Sequence, residues 1–236
     1  MTDTEIARLA EQAAVGDPEA LFRLAEHYER RAGDQDLDQA VTHYLLAAAK
    51  GHREAQFSLG VLAWQGKGME PSLEDALHWW RKAAKNGHAQ AQFNLGVAYF
   101  NGEGVARSYP DALHWLQQAA DQGHGPAQFH LGREYYSGQH IARDFKQAAR
   151  WLEKAAKQGI AAAQGDLGLL YSFGQGLEHP NRVLAYGWAK AALLNGYEPA
   201  TKVLAAIRAH LGITGQEIHS AERKARELAE KYPVRS

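Results

Sequence analysis

Four sets of residues in this chain have types and spacings from which chemistry can be built. Twelve histidines are present; His52, His88 and His124 recur at a step of 36 residues, and His78 and His114 repeat that step elsewhere. Recurring imidazoles suggest metal ligation. Ligands of one zinc ion must lie about 2 Å from it, whereas equivalent positions in stacked helical repeats lie about 10 Å apart, so the spacing argues against a shared site and no metal is expected. These histidines read instead as polar turn residues. The tryptophans Trp79, Trp115, Trp151 and Trp188 suggest a cofactor stack, but each falls opposite polar residues on a helix, which makes it core; no cofactor is expected.

Glu74, Asp75, Asp111 and Asp144 stand where helices open, and negative charge there is ordinarily a response to the helix dipole. Acid–base catalysis would need two carboxylates converging on one cleft, which nothing in the sequence indicates, so no catalytic residue is assigned. The pairs Gly66-x-Gly68 and Gly102-x-Gly104 lack the further glycine and the Lys-Ser or Lys-Thr of a phosphate-binding loop, and read as helix connectors.

The elements that must position these residues follow from a repeat. Leu59-Gly60, Leu95-Gly96, Leu131-Gly132 and Leu167-Gly168 are each 36 residues apart, and Ala55, Ala91, Ala127 and Ala163 keep the same step. Trp79, Trp115 and Trp151, the Ala-Ala pairs at 83, 119 and 155, and Gly51, Gly87, Gly123 and Gly159 do likewise. In the first helix of a copy, Ala55, Leu59 and Leu62 share one arc, and Gly60 removes a side chain where a partner helix comes close. The connector glycines end it. A second helix follows, with Ala76, Trp79 or Trp80, Ala83 and Ala84 as its apolar set.

The columns A-x-x-x-L-G-x-x-Y-x-x-G-x-G and A-x-x-W-x-x-x-A-A-x-x-x-G resemble the Sel1-like repeat, a relative of the tetratricopeptide repeat, over residues 16–211. His140 departs from the second connector glycine. The resemblance implies an all-α fold: a right-handed α/α superhelical solenoid in which helix A of each pair lines a concave surface, with one stacked core and hence one domain over 1–236. We expect an N-terminal capping helix at 1–15, where Thr2-x-x-Glu5 fits a capping box. Repeats are expected at 16–50, 51–86, 87–122, 123–158 and 159–195, then a lone helix A at 196–211 and a capping helix at 212–236 opened by Thr214-x-x-Glu217.

Ligands of tetratricopeptide-like folds lie against helix A, and projecting that groove gives Phe57, Val61, Trp64 and Gln65; Phe93, Val97, Phe100 and Asn101; and Phe129, Arg133, Tyr136 and Ser137. An aromatic face with a few polar groups suits a peptide, since rings give large contact area at little entropy cost. Packing against the next A helix is an equal rival at the Phe57 column; Trp64, Arg133 and Tyr136 are less easily explained by the repeat pattern.

The remaining sequence properties narrow the partner. Net charge is −1 with both signs mixed, which carries no electrostatic footprint for nucleic acid. No apolar run reaches the roughly 18 residues of a membrane span, and the N-terminus lacks a secretory signal, so we expect no membrane insertion and a cytoplasmic chain. The expected function is an adaptor that binds a protein or peptide in its groove. The resemblance leaves two alternatives: an immunity or inhibitor protein that occludes a cognate toxin, and a hydrolase, since cysteine-rich relatives are linked to β-lactams. The absence of cysteine and of Ser-x-x-Lys disfavours the last.

Overall fold

A computed structural model describes residues 1–31, 33–176, 181–211, 213 and 215–234. Its helices are α1 (Asp3–Ala14), α2 (Pro18–Arg31), α3 (Asp34–Ala49), α4 (Arg53–Gln65), α5 (Leu73–Lys85), α6 (Ala89–Asn101), α7 (Tyr109–Asp121), α8 (Gly125–Ser137), α9 (Phe145–Ala156), α10 (Ala161–Phe173), α11 (Arg182–Leu194), α12 (Ala200–Leu211) and α13 (Gly215–Lys231). No strand occurs among the described residues. The chain divides into two compact units, residues 1–119 and 120–236, and each is described by itself.

Local chemistry sets the helix ends. Thr2 and Glu5 form the expected capping box, the Glu5 amide donating to Thr2 Oγ1 and the Thr2 amide to Glu5 Oε2. Ser72 caps α5, whose first turn holds Glu74 and Asp75, and Asp144 caps α9 by accepting from the amides of Lys146 and Gln147. Asp144 thus meets orphan amides at a helix start, while Glu74 and Asp75 place negative charge in the first turn of α5. α4 ends at Gly66, whose φ of 69° places it in the left-handed region that side chains avoid.

Small residues bring each helix pair together. A Cβ at Gly60 would lie 2.3 Å from Trp80 Cδ1; at Gly96 it would lie 2.7 Å from Leu116 Cγ, and at Gly132 2.7 Å from Leu152 Cγ. α5 thus buries Ala76, Leu77, Trp80, Ala83 and Ala84. Trp151 and Trp188 are core, as expected, but Trp79 and Trp115 are only half-buried. Trp80, Leu116 and Leu152 each take the position over the glycine, one residue after the repeat tryptophan and so about 100° away from it around the helix. Trp79 carries the Lys82 ammonium 4.4 Å from its ring centroid.

A row of buried glutamines, not anticipated from the sequence, ties α4, α6, α8 and α10 each to the helix before it. Gln56, Gln92, Gln128 and Gln164 donate to the carbonyls of Ala48, Ala84, Ala120 and Ala156 at 3.0–3.2 Å. Their own carbonyl oxygens are used too: Gln56 accepts from Asn86, Gln128 from Gln158 and Gln164 from Asn195. Buried amides are thereby satisfied on both sides.

In residues 120–236, α12 begins at Ala200, just after Pro199, within the span 196–211 expected for the lone helix A. α13 buries Ala221, Ala225 and Leu228 and packs on α11. Tyr232 then stacks on Trp188, and its carbonyl accepts from Gln164 and Asn195. Thr214, the first residue of the second expected capping box, lies outside the described residues. Among the described residues no helix is long and apolar enough to cross a membrane.

Candidate functional site

The recurring histidines prove to be helix caps. Nδ1 of His52, His88 and His124 accepts the amides of Ala55, Ala91 and Ala127 at 3.2, 3.2 and 3.3 Å. Accepting there requires an unprotonated Nδ1, so the geometry assigns the Nε2–H tautomer of a neutral ring. His52 stacks on Phe22 at 4.6 Å between centroids, and His88 on Phe57 at 4.3 Å. Burial holds the His88 imidazole below its ordinary pKa. Among the described residues no three His, Asp or Glu side chains cluster to hold a metal.

That stack occupies one face of Phe57. The fifth repeat inverts the pairing: Gly165 stands where the earlier repeats carry Phe57, Phe93 and Phe129, and Tyr197 stands in the column of His52, His88, His124 and Ile160. The Tyr197 ring fills the vacated space, its Cε1 3.1 Å from where a Cβ on Gly165 would sit. Bulk moves across the contact, and packing is kept.

In residues 1–119, α4, α5 and α6 build an open groove of about 250 Å³. Val61, Trp64, Phe93 and Val97 contribute to it from the A helices, as do Asn94 and Ala98; Leu73 and Trp80 come from α5, and Glu103 from the connector after α6. Trp64 is 59% exposed and Leu73 39%, so two large apolar side chains stand in solvent beside the groove. Trp80 is buried, and its indole N–H has no acceptor among the described residues. The Asn94 carbonyl accepts from Gln90. Asn101 does not line the groove; its amide donates to Glu103 Oε1 at 2.9 Å and so orients the carboxylate that does. Gln65 is exposed at the end of α4, and Phe100 meets Tyr109 edge-on at 5.3 Å.

In residues 120–236 the corresponding face differs. Arg133, Tyr136, Asp166 and Leu169 line a cleft of about 70 Å³. Arg133 Nε lies 3.8 Å from Asp166 Oδ2, and its guanidinium carbon 5.7 Å from the centroid of the Phe129 ring. Burial pushes the Asp166 carboxyl above its ordinary pKa, and Arg133 opposes that only in part. Phe129 packs at the edge of the α9–α10 core, Tyr136 lies 5.7 Å from Phe145, and the Ser137 hydroxyl donates to the Glu134 carbonyl. Glu134, buried where α4 carries Leu62, pairs with His140 Nδ1 at 2.8 Å. The residue that departs from the connector pattern is thus the partner of a buried carboxylate.

Sequence reasoning missed Leu73, Trp80, Asn94 and Glu103 in the groove and Asp166 in the cleft. Only the Trp79-Trp80 doublet signalled any of them, since a second tryptophan beside the repeat column needs a place of its own.

Paired helices repeated in register define an α/α repeat protein. The Sel1 repeat model matches residues 18–52, 53–88, 89–124, 125–160 and 161–197, and the chain belongs to the Sel1 repeat family. Members of this family are generally protein–protein interaction modules. Among solved structures, the chain is similar to c5321, a protective antigen present in uropathogenic Escherichia coli strains displaying an SLR fold. The two are 33% identical with a TM-score of 0.78 over 96% of this chain and 48% of that one, so this chain spans about half the length of c5321. A Sel1 repeat protein from Oxalobacter formigenes is 31% identical, with a TM-score of 0.70 over 91% of this chain and 89% of that one. No curated protein sequence matches the chain significantly.

Proposed function

We propose that the chain is an adaptor that binds a partner protein against its A helices, and that the α4–α6 groove is its anchor point. The carrying observation is the convergence of Val61, Trp64, Phe93 and Val97 on one open apolar groove with Trp64 largely in solvent. An indole held on a rigid helix offers a large contact area that loses little conformational freedom on binding, which is why tryptophan dominates interface energetics. A volume of about 250 Å³ is smaller than the roughly 300–1,000 Å³ of typical small-molecule sites and suits one protruding side chain of a larger partner.

The test is co-purification with cross-linking, identification of the partner by mass spectrometry, and titration of the purified partner against variants. Trp64→Ala should weaken binding by about 2 kcal/mol while leaving the melting curve nearly unchanged. Arg133→Ala with Tyr136→Ala is the comparator on the other unit. Unchanged affinity for Trp64→Ala would sink the groove reading.

A further inference from the structure

The groove carries a charge as well as a shape. Val61, Trp64, Leu73, Trp80, Phe93 and Val97 are apolar or aromatic, and the one ionised side chain among the groove-lining residues is Glu103. Its carboxylate is oriented by the Asn101 amide, and Asn101 is held in turn by Arg107, which donates to its carbonyl at 3.3 Å. The connector of Glu103 lies on the groove wall: a Cβ on the adjacent Gly104 would meet Leu73 and Leu77 at 2.6–3.0 Å. Glu74 and Asp75 follow Leu73 in the first turn of α5, where they offset the positive helix end. No lysine or arginine lines the groove.

Resting on the adaptor reading above, we infer that the occupant is a segment of a partner protein in which a large apolar side chain, aromatic or branched, is accompanied within a residue or two by arginine or lysine. The apolar side chain lies between Trp64, Leu73 and Phe93, and the cation meets Glu103. A carboxylate already held by a neighbouring amide loses little freedom on pairing with a guanidinium, and arginine can meet it through two parallel N–H groups. An acidic segment would bring like charges together beside apolar walls, where water screens them poorly.

The experiment is selection from a random-peptide display library on the full chain, run in parallel on Glu103→Lys and Trp64→Ala. The wild-type chain should enrich aromatic or branched residues with a basic neighbour, and Glu103→Lys should turn that neighbour acidic. Trp64→Ala should lose the apolar preference. With a selected labelled peptide, Glu103→Gln should weaken binding roughly fivefold and the difference should shrink in high salt. Glu103 is exposed, so these variants should melt as wild type does. Apolar enrichment with no charge preference, or with one that Glu103→Lys leaves unchanged, overturns this inference and leaves the groove reading standing. No enrichment over an unrelated control protein overturns both.

Discussion

The same columns of the repeat make an apolar groove in residues 1–119 and a charged cleft in residues 120–236. Val97 in α6 becomes Arg133 in α8, and Asn94 in α6 becomes Asp166 in α10. Trp80, which lines the groove, becomes Leu152. The open volume falls from about 250 to about 70 Å³, and an ion pair stands where the groove has apolar walls. The buried columns change far less, because each A-helix alanine, leucine and glycine must fit a partner helix. A repeat therefore fixes a scaffold and leaves its exposed positions free to differ.

The largest expected effect tests how rigid each contact is. Gly60→Ala would gain about 1 kcal/mol from helix propensity alone, yet its Cβ would lie 2.3 Å from Trp80 Cδ1 and 3.1 Å from the Ala76 carbonyl. An indole wedged between helices cannot give way, and the net loss should be about 3 kcal/mol in urea unfolding. Gly132→Ala meets Leu152 Cγ at 2.7 Å, and a leucine can change rotamer, so about 1 kcal/mol is expected. Adding Trp80→Leu to Gly60→Ala should bring its cost toward that of Gly132→Ala. Equal losses for the two single variants would contradict this account.

The glutamine row gives the next contrast. Gln164 bonds the carbonyls of Ala156 and Tyr232 and accepts from Asn195, whereas Gln56 bonds the Ala48 carbonyl and accepts from Asn86. Methionine keeps the shape and removes the hydrogen bonds. Gln164→Met should cost about 3 kcal/mol and Gln56→Met about 2, because the first removes three hydrogen bonds and the second two. Chemical denaturation of each variant measures it, and a larger loss for Gln56→Met would break the ordering.

These residues also show what was legible before the structure. Helix order, connectors and the Leu-Gly core could be read because sterics at a shared contact repeat with the chain. Gln56, Gln92, Gln128 and Gln164 recur just as regularly, but a polar residue beside a buried alanine looks like solvent-facing surface until the carbonyl eight residues earlier is found beside it. The groove was half legible. Trp64 and Val97 lie on the A-helix wheel, whereas Leu73 and Glu103 reach it from α5 and a connector, and no single-helix wheel can show that meeting. Glu134 and His140 each break a column, and only their pairing explains both.

The smallest contrast is in the response to pH, where His88 and Asp166 should contribute slopes of opposite sign. His88 in its neutral form caps α6, and burial lowers its pKa, so the unfolded chain binds the proton more tightly than the native one. Its contribution is fully present above about pH 6.5 and is lost as pH falls below that value. Asp166 has its pKa raised by burial, so the native chain binds the proton more tightly and this position becomes less favourable as pH rises through and above the ordinary carboxylate range. Asparagine can cap a helix without titrating, so His88→Asn should flatten the acid side of the stability profile at a cost below about 1 kcal/mol at neutral pH. Asp166→Asn should flatten the other slope and leave neutral stability unchanged or slightly higher. Carboxyl-carbon NMR titration isolates the second case: Asp166 should titrate above ordinary aspartates, and Arg133→Ala should move it higher still by removing the opposing guanidinium. A downward move on losing Arg133 would mean that the pair is not coupled as the 3.8 Å contact indicates.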